Sequence, residues 1–315
     1  PKIIKLQYRK LKMRYLLDEI QKLSIHSMGI DDESCPWVKL KDGLIFYGIP
    51  PTNSQILIHE LLDPKLNIKL ECFGVIIEII DRYLAPRSIP GTLTFSDTKY
   101  WRKRDPLTDF SLGKEERYQL TSKFRPKKGE TFMDIGAFHG FGSLRVAELI
   151  SNSGNLIAIE VDKNNQKLIK KNFESNGFSN LILIGGAVSN FNTDKSYYFN
   201  DSIPSGNSLR GDVLENLGVS DLQELPTPVF TGDVILSNLN IEKIDFLNLT
   251  INGSEPEALE GLSETINKSK NIRITTPGWY YRDGERLDKL VKKSLMDIGL
   301  KNIKIGKEGR VLAWN

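Results

Sequence analysis

From Thr131 onward, short apolar runs bounded by Gly, Asn or Asp alternate with longer segments of helical period. This pattern predicts strands at Thr131–Ile135, Leu156–Ile159, Leu181–Ile184, Phe246–Ile251 and Ile272–Thr275. It predicts helices at Ser143–Ile150, Lys163–Asn176 and Glu255–Asn267, with Gly284–Ile298 after the fifth strand. Such alternation implies an α/β fold, a doubly wound and mostly parallel sheet covered on both faces by right-handed crossover helices. Asn302–Ile305 and Arg310–Trp314, around Lys307-Glu308-Gly309, read as a closing hairpin. One interruption, Phe191–Leu239, is too long for a connection. Ligands of open sheets bind beyond the carboxyl ends of the strands, so an insertion there is a natural lid or substrate wall.

Upstream of about residue 115 the texture is irregular. After a helix to about Leu23, Val38–Tyr47 alternates around Asp42-Gly43, a hairpin signal, and Ile56–Leu62 and Gly74–Tyr83 have helical spacing. Pro86, Pro90 and Gly91 break the chain, and Trp101-Arg102-Lys103-Arg104-Asp105-Pro106 forms a charged, aromatic connector. The expected organisation is an N-terminal mixed α/β accessory region over residues 1–115 and a doubly wound domain over 116–315.

Composition narrows the function classes. The 315 residues are 39% hydrophobic and 26% charged, and no stretch is long and apolar enough to span a membrane. Forty-three Lys plus Arg against 40 Asp plus Glu leave +3, too balanced for a dedicated nucleic-acid binder. Two cysteines, Cys35 and Cys72, make neither a disulfide scaffold nor a zinc spacing, so a reducing cytoplasm is the plain expectation. Pro1–Tyr15 carries six basic residues and no acid, without the cleavage site of a secretory signal. Its amphipathic face could touch an anionic surface; a solvated face packed on the body is the plainer account.

The most informative segment is Thr131-Phe-Met-Asp-Ile-Gly-Ala-Phe-His-Gly-Phe-Gly142. An apolar strand delivers Asp134 at its end, and Gly136 and Gly140 allow a tight turn against a ligand before the next helix. A dinucleotide fingerprint needs glycine where Phe138 stands, and no Gly-Lys-Ser/Thr phosphate loop follows. Glu160 closes the second strand, where a carboxylate can accept hydrogen bonds from both hydroxyls of a ribose. Two carboxylates around a glycine turn would repel a pyrophosphate but suit a cofactor with a ribose and a positively charged amino-acid tail. S-adenosylmethionine meets those demands.

Asp134-Ile-Gly-Ala with Gly140, Ala158-Ile-Glu-Val-Asp162, Asn176-Gly-Phe-Ser-Asn180 with Ala187-Val-Ser189, and Asp245-Phe-Leu-Asn-Leu-Thr-Ile-Asn-Gly-Ser-Glu-Pro-Glu-Ala-Leu-Glu-Gly261 together resemble the FkbM-type methyltransferases. The likeness spans roughly Glu116 to Ile305. It implies a class I, Rossmann-like, S-adenosylmethionine-dependent fold and O-methylation of sugars or secondary metabolites. By the same resemblance Asp134, Gly136, Ala137 and Gly140 line the methionine end, Glu160 holds the ribose, and Val161 with Gly186-Ala187 flanks the adenine. The family's Asp-Val-Glu-Gly is here Thr250-Ile251-Asn252-Gly253, so two carboxylates become neutral groups on the acceptor side.

Methyl transfer needs alignment, plus a base when the nucleophile is a hydroxyl. Candidate bases are His139, in the glycine turn, and Glu255, beside the fourth strand tip. The plainer role of the histidine is to fill the turn. That of the glutamate is charge at a helix start capped by Ser254 and opened by Pro256. Thr250, Asn252, Trp279 and Tyr280 are candidates for holding the acceptor, aromatic stacking for the last two standing beside plain packing. No metal is expected, since the carboxylates it would want are Thr250 and Asn252. The expected activity is methyl transfer from S-adenosylmethionine to a hydroxyl of a saccharide or small molecule. A non-catalytic S-adenosylmethionine-binding scaffold of the same fold is the alternative. Nucleic-acid methylation has weaker support, and the N-terminal part is expected to close the acceptor pocket or pair two subunits of a homodimer.

Overall fold

The computed structural model describes residues 16–62, 67–84, 89, 90, 92, 107, 110–200, 205–216 and 218–315. The basic start Pro1–Tyr15, the breakers Pro86 and Gly91 and the connector Trp101–Pro106 lie outside the described residues.

A helix over 16–22 (α1) leads into an antiparallel meander of β1 (Ile25–Ile30), β2 (Pro36–Leu40) and β3 (Ile45–Tyr47), joined between the last two at Asp42-Gly43 as expected. Helices α2 (Asn53–Glu60) and α3 (Leu70–Glu78) follow, and α3 passes directly into a π-helical turn, Ile79–Leu84. The next elements are α4 (Lys114–Phe124), β4 (Thr131–Ile135), α5 (Phe141–Ile150), β5 (Asn155–Glu160), α6 (Lys163–Ser175) and β6 (Leu181–Gly185). After β7 (Ala187–Val188), the predicted interruption holds β8 (Thr193–Phe199), α7 (Gly211–Asn216), β9 (Gln223–Phe230) and α8 (Gly232–Asn238), and β7, β8 and β9 form a separate small sheet. The chain closes with β10 (Phe246–Leu249), α9 (Glu255–Glu260), α10 (Ser263–Lys268), β11 (Arg273–Thr276), β12 (Tyr281–Arg282), β13 (Glu285–Arg286), α11 (Leu287–Asp297), β14 (Asn302–Ile305) and β15 (Val311–Trp314).

Of the predicted boundaries that shift, three have a local reason in the structure. The strand expected over Phe246–Ile251 ends at Leu249, because Asn252 and Gly253 take positive φ and turn the chain. The helix expected over Glu255–Asn267 is two helices. At the junction, a Cβ on Gly261 would lie 2.0 Å from the carbonyl oxygen of Ser189, so the backbone just after β7 touches the helix path there. The helix expected from Gly284 starts at Leu287, since Asp283-Gly284, both at positive φ, form the two-residue turn of the β12–β13 hairpin.

Seven strands make the central sheet, in the order β14-β15-β11-β10-β4-β5-β6. Five run parallel from β11 to β6, and β15 is antiparallel to both its neighbours. Alternation along the strands divides the core between the two faces. Phe132, Leu156, Ala158 and Phe246 face a cluster with Phe46, Phe73, Ile76, Phe124 and Phe141, which joins the N-terminal segments to α5 and α6. Met133, Ile135, Ile157, Ile159, Leu247 and Leu249 face the other, with Leu259, Leu262, Val291 and Leu295. Both faces are dry, as a parallel sheet requires.

The edge strand β3 pairs with β2 on one side and is held by side chains on the other. Asn172 and Asn176, one helical turn apart, present their amides to it. Asn172 accepts from the Tyr47 N–H at 2.7 Å and donates to the Tyr47 carbonyl at 2.9 Å, while Asn176 does the same for Ile45 at 2.8 and 2.7 Å. Asn172 also donates to the His139 carbonyl, at 3.0 Å. The N-terminal meander is thereby fixed to the turn that follows β4.

Candidate active site

The alternation that sends Met133 and Ile135 to one face of the sheet sends Asp134 to the other, one residue before the end of β4. Its register partner on β10 is Asn248. The Asp134 carboxylate accepts from the Ser143 hydroxyl at 2.5 Å and from the Asn248 amide at 2.7 Å. Burial pushes its pKa up, against the lowering effect of those two hydrogen bonds. Gly136 follows at φ +84°, and a Cβ there would come within 2.0 Å of the Thr250 carbonyl oxygen. Only glycine lets the β4 turn meet the tip of β10 so closely.

Glu160 ends β5, the adjacent strand. One carboxylate oxygen accepts from the Phe138 N–H at 2.9 Å, the other from the Asp162 N–H at 3.0 Å and the Asn165 amide at 3.3 Å. These bonds hold the carboxylate toward the turn after β4. The side chain is buried, and burial pushes its pKa up to about 7 despite the three donors. Three of roughly four lone-pair sites are used, leaving capacity for a ligand hydroxyl.

Between these strand tips lies a cavity of two lobes. The narrower, about 50 Å³, is lined by Glu160, Val161, Asn165, Gly186 and Ala187, with Ser205, Asn207 and Ser208 of the insertion. The larger, about 310 Å³, is lined by Asp134, Ala137, Asn248, Trp279, Tyr280 and Arg310, by Glu78 at the end of α3, and by Asp81 and Arg82 of the π-helical turn. Gly136, Phe138, Ser205, Thr250 and Asn252 belong to both. Two buried oxygens on the wall of the larger lobe, Asn248 Oδ1 and Thr250 Oγ1, have no hydrogen-bond partner among the described residues. They would accept from a ligand's ammonium or hydroxyl.

The structure therefore brings together Asp134, Gly136, Ala137, Glu160, Val161, Gly186, Ala187, Thr250, Asn252, Trp279 and Tyr280. It leaves three sequence candidates out of the lining. Gly140 starts α5 and lies against Ile169. His139 is 1% exposed with its ring stacked on Phe138 at 3.6 Å, and burial lowers its pKa to about 3. Phe138, at φ +56°, turns the chain so that its own side chain meets the cavity and that of His139 the core. Glu255 is fully buried, and its carboxylate accepts from the backbone N–H groups of Ile251 at 3.1 Å and Gly253 at 2.7 Å. Burial pushes its pKa up to about 7. It braces the loop at the tip of β10 from below.

Sequence reasoning missed Arg82, Asn248 and the insertion residues. Arg82 reaches the site from the N-terminal region, its guanidinium 4.4 Å over the Phe138 ring and 2.5 Å from Glu78. Nothing in its local pattern marked it, although π-helical turns recur at functional sites. Asn248 was discoverable, because it alternates in phase with Thr250 on the strand facing Asp134.

A family model described as O-methyltransferase matches residues 102–190, the stretch containing β4, the glycine turn, β5 and Glu160. A curated relative, a probable cobalt-precorrin-6B C(15)-methyltransferase (decarboxylating) of Saccharolobus solfataricus, is 27% identical over 151 residues, 45% of this chain and 75% of that protein. The chain is an S-adenosylmethionine-dependent methyltransferase. Its fold is the class I methyltransferase arrangement, with a mostly parallel seven-stranded sheet. Among solved structures, an FkbM methyltransferase from Methylobacillus flagellatus KT is similar at 13% identity, covering 68% of this chain and 52% of that one, TM-score 0.43. A SAM-dependent methyltransferase from Aquifex aeolicus is similar at 14% identity, covering 68% of this chain and 94% of that one, TM-score 0.38. Among the described residues of this methyltransferase no helix is long and apolar enough to cross a membrane, and no three His, Cys, Asp or Glu side chains are grouped to hold a metal ion.

Proposed function

We propose that this methyltransferase moves the methyl group of S-adenosylmethionine to an oxygen of a saccharide or another small molecule, in the cytoplasm, and that it is of the FkbM type. The observation that carries the reading is the two-lobed cavity across the tips of β4, β5 and β10, with Glu160 on one lobe and Asp134 on the other. Glu160 is assigned to the ribose, and Val161, Gly186 and Ala187 to the adenine. Asp134, Gly136 and Ala137 take the methionine end, and the larger lobe takes the acceptor between Thr250, Asn252, Trp279 and Tyr280. The cofactor supplies a methyl group already activated on a sulfonium.

The work left to the protein is alignment and exclusion of water, and the proton released from the acceptor hydroxyl has to pass to a carboxylate of the larger lobe or to solvent. Asp134, fixed by Ser143 and Asn248, presents negative charge where the cofactor's positive amino-acid tail would lie. Asn248 Oδ1 and Thr250 Oγ1 offer acceptors to an incoming hydroxyl. Trp279, 40% exposed at the rim, offers a ring face under the guanidinium of Arg310 at 5.7 Å. His139 and Glu255 stay outside this arrangement, so the reading gives neither a direct part in proton transfer. The N-terminal region, through Glu78, Asp81 and Arg82, is assigned to closing the acceptor lobe.

Calorimetric titration with S-adenosylmethionine and S-adenosylhomocysteine tests the cofactor half. Charge-assisted hydrogen bonds contribute about 1.5–3 kcal/mol, so Glu160→Ala should weaken binding by about tenfold or more. Equal affinity in the two proteins would remove the assignment. Incubation with labelled cofactor and a panel of saccharides, small hydroxylated compounds and oligonucleotides tests the acceptor. Label recovered on oligonucleotides alone would overturn it.

A further inference from the structure

We propose that Asn252 is a positioning residue, a latch that holds the insertion as a roof over the junction of the two lobes. Ser205, Asn207, Ser208 and Leu209 cover the narrow lobe, and Ser205 reaches the larger one. Asn252, in the loop that follows β10, bonds this roof through its side chain and its backbone. The Asn252 amide donates to the carbonyls of Ser205 at 3.0 Å and Asn207 at 2.9 Å, and its oxygen accepts from the Tyr280 hydroxyl at 2.8 Å. The Ser208 hydroxyl returns a bond to the Asn252 carbonyl at 2.8 Å. Both amide protons and the amide oxygen are thus used, in a residue 5% exposed.

Asparagine suits this post for two separate reasons. Its backbone is left-handed, φ +57°, a region asparagine tolerates better than most side chains. Its amide also supplies two donors to two carbonyl oxygens, where a carboxylate would set oxygen against oxygen in a buried place. The neutral group that replaces a carboxylate of the FkbM pattern is the one this roof requires. Glu255 supports the same loop from beneath through Ile251 and Gly253, so the latch stands on a braced base. That the roof encloses a cofactor rests on the function proposed above; that Asn252 holds it does not.

Asn252→Gly keeps the left-handed backbone and removes only the amide, and Asn252→Asp keeps the shape and removes the donors. Two measurements on the full chain decide the matter. In hydrogen–deuterium exchange, the amides of Ser208 and Arg210 should exchange about tenfold faster in both variants, equivalent to ~1.4 kcal/mol of local stability, with β4 and β5 amides unchanged. In stopped flow, S-adenosylhomocysteine should leave both variants about tenfold faster than wild type. Exchange unchanged at 208 and 210, or accelerated equally in β4 and β5, would overturn the latch. So would an unaltered dissociation rate. If the wild type binds no S-adenosylhomocysteine but the exchange responds as described, the latch stands and the cofactor reading falls.

Discussion

Glu160 is a buried acid on the proposed cofactor lobe, and its protonation should be visible in binding. Burial raises its pKa from an ordinary 4.5 to about 7, so the free protein carries the proton through mildly acidic pH. On the proposed assignment a ribose hydroxyl donates to the carboxylate, so binding below pH 7 must release that proton, and affinity falls as pH falls, approaching tenfold per pH unit. The sign for stability is opposite. Between 4.5 and 7 the native state binds more protons than the unfolded chain at this group, so its contribution to stability declines as pH rises through that window. Titrations of S-adenosylhomocysteine from pH 5.5 to 8 should show the rising affinity in wild type and a flat profile in Glu160→Gln; a flat wild-type profile would separate Glu160 from the ligand. Asp134 and Glu160 were legible in the sequence because each ends an apolar run, and the strand direction then dictates where the side chain goes. His139 and Glu255 were chosen for chemical type beside a turn. Their orientation follows from the positive φ of Phe138 and from backbone donors in the 251–253 loop, neither of which leaves a mark in residue spacing.

At the scale of elements, the junction between α6 and β3 is the contact that a period-based reading could not show. Lys163–Asn176 was legible as a helix, and its period alone gives the asparagines at 172 and 176 no partner. They instead complete the hydrogen bonding of an edge strand more than 120 residues earlier in the chain. Asn172→Ala would strand the N–H and carbonyl of Tyr47 and release the carbonyl of His139. At 1–3 kcal/mol for a buried group left without a partner, the expected loss is about 3 kcal/mol. Asn164→Ala, on the exposed side of the same helix, should stay within about 0.5 kcal/mol. Equal unfolding midpoints for the two variants in urea would show that the asparagine docking contributes nothing. The same limit explains the split of α9 from α10. Gly261 inside a helical pattern is a mild signal by itself, and only the approach of Ser189 turns it into a break.

For the whole molecule the question is how far residues 1–115 act apart from the sheet. Phe46 on β3 is fully buried, edge-on to Tyr83 at 4.7 Å and to Phe141 of α5 at 5.1 Å. The apolar cluster around it runs without interruption from Phe73 and Ile76 to Phe132 and Phe246 on the central strands. An N-terminal region sharing its core in this way should unfold with the sheet, and the acceptor lobe, built partly from Arg82, should then depend on the same cooperative unit. Phe46→Ala removes an aromatic ring from that shared cluster, for an expected cost of about 3–5 kcal/mol. Trp37 reports on the N-terminal meander and Trp314 on the last strand of the sheet. In urea, single-tryptophan versions carrying one or the other should lose signal at one common midpoint, and Phe46→Ala should lower both midpoints together. A midpoint that falls only for Trp37 would make residues 1–115 an independent unit, and would detach the stability of the cofactor site from the part of the chain that borders the acceptor.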